Sequence, residues 1–392
     1  MAIFILPYGS SMIGERLSPH LLVSNFFRYM GLILKFTKHV LKFKFDAGTS
    51  RGVLRTKDAW ILKIYQSSDP KVYGLGEVST IERLSFDYSV DFETELEELQ
   101  KTLSQTDLPK SEEDIYRLVK DLVSEYRPAI RFGLESSLLD LFHGGNFKIF
   151  DNGFFNSESG IPINGLIWMG EKDFMKEQID KKLKLGFKCI KLKIGAIDFD
   201  AECELLRYIR SQYPADQLIL RVDANGAFIT QEVLKKLERL EEFELHSIEQ
   251  PIMPKQTEAL SLVCEKSKVP IALDEELIGI FSKRDKVELL QDTKPDYIIL
   301  KPSLLGGFAA TAEWIKIAES QNICWWITSA LESNIGLNAI CQFTAGYDYV
   351  GHQGLGTGQL FDNNIHSPLA IQGEEIVYNQ TLSWDFGDLK FN

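Results

Sequence analysis

The sequence predicts an α/β protein: a closed parallel barrel of repeated βα units preceded by a separate α+β domain. Three observations carry that expectation. Lys193, Asp223, Glu249, Asp274 and Lys301 each end a short apolar run of strand type, at intervals of about 25 to 30 residues, the length of one βα unit. Helical stripes fill the intervals, as at Met175, Ile179 and Leu183, which stop at Gly186. Residues upstream of about 142 instead run strands first and helices second, the order of an α+β unit.

A chain of 392 residues has length for two domains and a large core. Its formal charge of −13 argues against nucleic acid and anionic membranes as partners and leaves a small molecule, with a homo-oligomer compatible. Five cysteines without CxxC spacing fit free thiols in a reducing cytoplasm better than disulfides or zinc. No apolar run approaches a membrane span, and without a cationic start and a small-residue cleavage site no signal peptide is expected.

Residues 1–31 are expected to be an extension of uncertain order, with Met30 an alternative start. Residues 32–150 read as the α+β domain. Leu34, Phe36, Val40, Phe43 and Phe45 form a strand pattern broken at Asp46–Gly52, and Trp60–Tyr65 and Val72–Glu77 complete a three-stranded meander. The helical stripes that follow are Leu118, Leu122 and Val123, then Phe132, Ser136, Leu139 and Phe142. Phe147–Ile161, rich in Gly, Asn and Ser, reads as a link to a barrel over 162–365, with 366–392 as a C-terminal segment. Within the barrel, a helix opening at Thr230 should bury Val233, Leu234 and Leu237, and another should align Ala310, Trp314 and Ala318. A seventh strand, Ile323–Thr328, delivers Ser329–Ser333 to the mouth. The eighth ends in a glycine-rich run, Gly351–Gly358, which either cradles an anion or is a tight turn closing the barrel.

The candidate site follows from strand periodicity. Lys191 and Lys193 share one face, as do Arg221, Asp223 and Asn225. Charged groups pointing into a barrel must be paired or bind a metal. Asp223, Glu249 and Asp274, converging among lysines, fit a hard divalent cation with oxygen ligands. An internal salt-bridge network would explain one such residue more readily than five in register. A Schiff-base lysine enzyme leaves the three carboxylates unexplained.

The set KxK at Lys191–Lys193, D-x-N at Asp223–Asn225, E-Q-P at Glu249–Pro251, L-D-E at Leu273–Glu275 and K-P at Lys301–Pro302 resembles the enolase superfamily, in its muconate-lactonizing subgroup. Arg221, Pro162–Gly170 and Ser329–Asn334 carry a closer match within it. The resemblance spans about residues 32 to 392. It implies a modified (β/α)7β TIM-type barrel with an N-terminal α+β capping domain, to which the C-terminal segment returns. It also implies Mg²⁺, or Mn²⁺, on Asp223, Glu249 and Asp274, with Asn225 and Arg221 behind them. Lys193 would be the base that removes a proton α to a carboxylate, Lys191 its neighbour and Lys301 the opposing electrostatic stabiliser. Mutual repulsion of the two neighbouring ammonium groups should lower the pKa of that pair. The closer match implies dehydration of a hydroxy-cyclohexadiene carboxylate bearing a succinyl chain, held by Ser329 and Leu331 and by Ser50 and Arg51 of the 47–55 loop. N-acylamino-acid racemisation is the alternative. Dipeptide epimerisation is disfavoured, because Gly354–Thr357 lacks the D-x-D pair that such relatives carry at the eighth strand.

Overall fold

A computed structural model of the chain describes residues 31–49, 52–88, 90–349, 351–387 and 389–391. The expectations for residues 1–30, including the start at Met30, and for Ser50 and Arg51 lie outside the described residues.

The first unit is an antiparallel meander, β1 (Leu32–Thr49), β2 (Gly52–Gln66) and β3 (Asp69–Ser79), ordered β1-β2-β3. β1 ends at Thr49 and β2 opens at Gly52, so the break expected over Asp46–Gly52 falls between these two strands. The pairing of β1 with β2 shifts register between Lys42 and Ala47 and then continues out to Thr49 opposite Gly52. Helices α1 (Phe92–Leu103), α2 (Glu112–Leu122) and α3 (Pro128–Phe142) cover the sheet. In α2 the buried stripe is Ile115 and Val119, with Leu118 and Leu122 only half-buried, a rotation that sequence periodicity alone leaves open. α3 is buried almost all round, because it lies between the meander and the second unit. Its backbone packs so closely on β3 that a Cβ at Gly76 would stand 2.0 Å from the Gly133 carbonyl oxygen.

No helix or strand spans Phe147–Gly160; its Ile149 and Phe154 are buried anchors. A two-residue strand, β4 (Ile161–Pro162), then leads into β5 (Gly165–Ile167) and α4 (Lys172–Lys184). The next units are β6 (Cys189–Lys193) with α5 (Phe199–Gln212), β7 (Ile219–Asp223) with α6 (Val233–Leu240), and β8 (Ser247–Glu249) with α7 (Thr257–Lys266). They continue through β9 (Ile271–Leu273) with α8 (Lys283–Thr293), then β10 (Tyr297–Leu300) with α9 (Pro302–Leu305) and α10 (Gly307–Ser320). β11 (Cys324–Ile327) and α11 (Asn334–Thr344) complete the series. The helix near Thr230 begins only at Val233, and Leu234 is 37% exposed, because the buried face is the one that carries Val233, Leu237 and Leu240.

The seven strands β5 to β11 lie parallel in chain order, and their inward and outward faces alternate. The ring closes through the glycine-rich run. Gln353 makes a parallel bridge to Ile163 and Gly354 one to Thr328, with Gly354 N–H donating to the Ile327 carbonyl (2.8 Å). Gly354 has to be glycine for this closure, since a Cβ there would come within 2.3 Å of Thr328 Oγ1. The hairpin β12 (Leu369–Gln372) and β13 (Glu375–Tyr378) pairs with β4 at the entrance to the barrel. The segment beyond it stacks Trp384 on Phe147, and Phe391 stands 5.6 Å from Lys63 of β2, so the chain end reaches the first unit.

The two units are docked by buried polar contacts as well as apolar ones. Glu135 of α3 accepts from Phe308 N–H (2.5 Å) and Ala309 N–H (3.4 Å) at the start of α10. Burial pushes its carboxyl up to about 8, because those two N–H groups and Arg131 only partly offset the desolvation. The folded chain therefore holds this proton more tightly than the unfolded chain does. The stabilisation is fully present below the unfolded value near 4.5 and is lost as pH rises through about 8, a swing of order 5 kcal/mol. Glu135→Gln should remove that share of the slope. Urea midpoints of the wild type and the variant at pH 6 and pH 9 check it: the wild type should fall more steeply, and parallel profiles would contradict the assignment.

Candidate active site

The strand register gathers the charged residues. Lys193 is opposite Asp223, Asp223 is opposite Glu249, and Lys191 is opposite Arg221. Asp274 follows β9 directly and Lys301 follows β10. All five predicted strand-end residues thus reach one mouth. Asp223, Glu249 and Asp274 are at most 2% exposed, and Lys191 and Lys193 are buried beside them.

Ammonium groups interleave with the carboxylates. Lys191 Nζ lies 2.5 Å from Glu249 Oε2 and 2.9 Å from Asp223 Oδ2. Lys193 Nζ lies 3.0 Å from Asp223 Oδ2 and donates to Asn225 Oδ1 (2.7 Å), while Lys301 pairs with Asp274. Asn225, at φ 44°, leaves the strand line, and its amide donates to Glu275 Oε1 (2.9 Å), so one residue ties the KxK strand to the L-D-E segment.

The electrostatics are unequal. Burial alone would raise the Asp223 carboxyl, but Lys191 and Lys193 override it and hold it well below the usual carboxylate range. Asp274 is also lowered, because Lys301 outweighs burial. Glu249 goes the other way: burial and then the Asp223 charge push it well above its ordinary value, and Lys191 offsets only part of that. Burial would lower Lys191, yet Asp223, Glu249 and Asp274 raise it, which reverses the lowering expected from its lysine neighbour. A fixed cation suits Lys191 to hold charge. It does not suit it to take a proton.

The same carboxylates can be tested against a metal ion. Glu249 Oε1 is buried and has no hydrogen-bond partner among the described residues. A hard oxygen donor left over, on a carboxyl destabilised by two neighbouring carboxylates, is what a divalent cation would satisfy. No three His, Cys, Asp or Glu side chains among the described residues already stand at metal-holding spacing. Here the lysine ammonium groups lie against the oxygens that a cation would take. The donor chemistry fits a hard dication, and seating one requires the ammonium groups to yield those oxygens.

A cavity opens above these groups. Lys191, Lys193, Asp223, Asn225 and Lys301 form its polar wall, and Leu54, Ile81 and Leu84 of the first unit line it from the other side. Ser329 and Leu331 also line it. The Ser329 hydroxyl is already committed, donating to Glu332 Oε2 (2.6 Å) and accepting from Leu331 N–H (3.0 Å) and Thr357 Oγ1 (2.8 Å). Arg221 does not reach the carboxylates. Its Nη1 donates to the His352 carbonyl (2.8 Å) and its guanidinium lies 4.1 Å over the Trp326 ring, deeper in the barrel. Asn164, Trp168 and Thr357 also line the cavity. The first two stand in the Pro162–Gly170 segment, so a signal for them existed; Thr357 had none beyond its glycine neighbours.

Residues 174–379 match the family model described as enolase C-terminal domain-like. The chain is 46% identical over 371 residues to an o-succinylbenzoate synthase from Desulfotalea psychrophila, an alignment covering 88% of this chain and 98% of the relative. The crystal structure of MenC from Desulfotalea psychrophila LSv54 superposes with a TM-score of 0.77 at 42% identity, over 88% of this chain and 99% of that one. A substrate-liganded L-Ala-D/L-Glu epimerase from Bacillus subtilis superposes with a TM-score of 0.76 at 18% identity, over 93% of this chain and 100% of that one, a likeness of fold alone.

Proposed function

We infer the activity from the fact that this chain belongs to the enolase superfamily, in the enolase C-terminal domain-like family. The chain is an enzyme, a carbon–oxygen lyase. It catalyses the o-succinylbenzoate synthase reaction of menaquinone biosynthesis, the syn-dehydration of 2-succinyl-6-hydroxy-2,4-cyclohexadiene-1-carboxylate. The observation that carries this is the 46% identity along nearly the whole length of a synthase, joined to a lysine-and-carboxylate mouth lined from the other side by apolar residues.

Superfamily members use Mg²⁺ generally, and we assign it here to Asp223, Glu249 and Asp274, with Mn²⁺ an acceptable substitute. When bound, the ion would neutralise charge developing on the substrate carboxylate. The chain's own residues do the rest. Lys193, at the rim of β6, takes the proton α to the carboxylate as its unprotonated amine. Asn225 Oδ1 orients that amine. Lys191 and Lys301 remain ammonium ions on either side and favour the enediolate that forms. Lys193, now protonated, returns its proton to the ring hydroxyl as the C–O bond breaks, so water departs and the ring becomes aromatic. Leu54, Ile81 and Leu84 keep bulk water from the carbanionic stage.

Among the described residues no helix is long and apolar enough to cross a membrane. We place the enzyme in the cytoplasm, acting on a small carboxylate, and a homo-oligomer remains compatible. Purified protein with Mg²⁺ should convert the cyclohexadiene acid to o-succinylbenzoate, followed by ultraviolet absorbance. No conversion, together with active racemisation of N-succinyl amino acids, would overturn the assignment in favour of a racemase.

A further inference from the structure

One buried cation has no part in the chemistry above. We propose that Lys57, on the first unit's β2, is a positioning residue that holds Leu331 in the left-handed backbone conformation shaping the Ser329–Leu331 wall of the cavity.

Lys57 is 5% exposed, and its Nζ donates to Ser79 Oγ (2.8 Å) and to the Leu331 carbonyl (2.9 Å). Leu331 has φ 64°, a region where a β-carbon is crowded and which persists only when the surroundings hold it. Its N–H donates to Ser329 Oγ, so the peptide units on both sides of the strained residue are tied. Ser329 is in turn braced by Thr357 and Glu332, and Ser303 Oγ donates to the other Glu332 oxygen (2.5 Å). Glu332 and Glu77 supply the charge that opposes the Lys57 ammonium. Glu77 also accepts from Ser333 and Gly336 N–H at the start of α11.

The first unit thus grips the β11–α11 loop at two points, and only the Lys57 grip falls on the residue with the unfavourable φ. Ser329, Ala330 and Leu331 all line the cavity, so a Leu331 that relaxed to the right-handed region would carry that wall with it. A buried lysine is an expensive way to supply one donor. Its use here fits a contact that must not slip.

The inference rests on the activity proposed above for its kinetic arm only. Lys57→Met should lower kcat/KM for the cyclohexadiene acid by about 100-fold, mostly through KM, because the wall binds substrate and the proton-transferring groups stay in place. Glycine adopts the left-handed region without strain. In a Leu331→Gly background, Lys57→Met should therefore cost less than about 3-fold. Independently of substrate, amide exchange at Leu331 and Ser333 should quicken at least about 10-fold in Lys57→Met. Equal kinetic losses in the two backgrounds, or unchanged exchange, would overturn the proposal. Wild-type protein inactive on the acid would refute the functional assignment instead, and the exchange comparison would still decide Lys57. If Lys57→Met does not fold, Lys57→Gln takes its place in both arms.

Discussion

Lys193→Ala is expected to abolish turnover, with a fall in kcat of at least about 10³-fold, near the upper range for losing a positioned acid–base group. The size follows from Lys193 serving twice, taking the α-proton and then returning it to the departing hydroxide, so the loss strikes both steps. Lys191 cannot substitute. It stands two residues below Lys193 along β6, and its contacts point to Asp223 and Glu249. The variant should fold, because Asp223 keeps its ion pair with Lys191. Exchange of the substrate α-proton in D₂O should vanish along with product formation. If α-proton exchange survives in Lys193→Ala, another group is the base.

Removal of the metal should be as severe. EDTA, or Glu249→Gln, is expected to lower turnover by at least about 10³-fold, because an unneutralised enediolate is out of reach for a lysine base. A second readout does not depend on activity. Mg²⁺ at 100 times its Kd should stabilise the wild type by about 2.7 kcal/mol, a rise in thermal midpoint of a few degrees for a chain this long. Glu249→Gln should lose that rise, since it replaces the carboxyl whose Oε1 has no hydrogen-bond partner among the described residues. Turnover that persists in EDTA, with no thermal response to Mg²⁺, would refute the metal assignment.

Some of the architecture was legible because it repeats. A parallel barrel places the same position of each βα unit at the same rim, so one charged residue per unit can be read from spacing before any coordinate is known. The helices at Met175–Leu183 and Ala310–Ala318 were visible for a similar reason, a period that matches 3.6 residues per turn. Leu234 was misplaced because a stripe's existence does not say which edge of it the neighbours cover. Ser50 and Arg51 lie outside the described residues.

What the amino-acid order by itself determined is which side chains ring the mouth: the two-residue pleat fixes their faces and the unit length fixes their height. What only the tertiary structure decided is how those side chains share charge and hydrogen bonds. Lys191 is raised where its lysine neighbour alone would lower it, because three carboxylates from other strands surround it. Ser329 has no hydrogen to spare, because Glu332 takes it. Arg221 turns to Trp326, and Lys57 crosses from another sheet to meet Leu331. Periodicity is a local property of the chain, whereas pairing depends on distances between segments far apart in sequence, such as the 274 positions between Lys57 and Leu331.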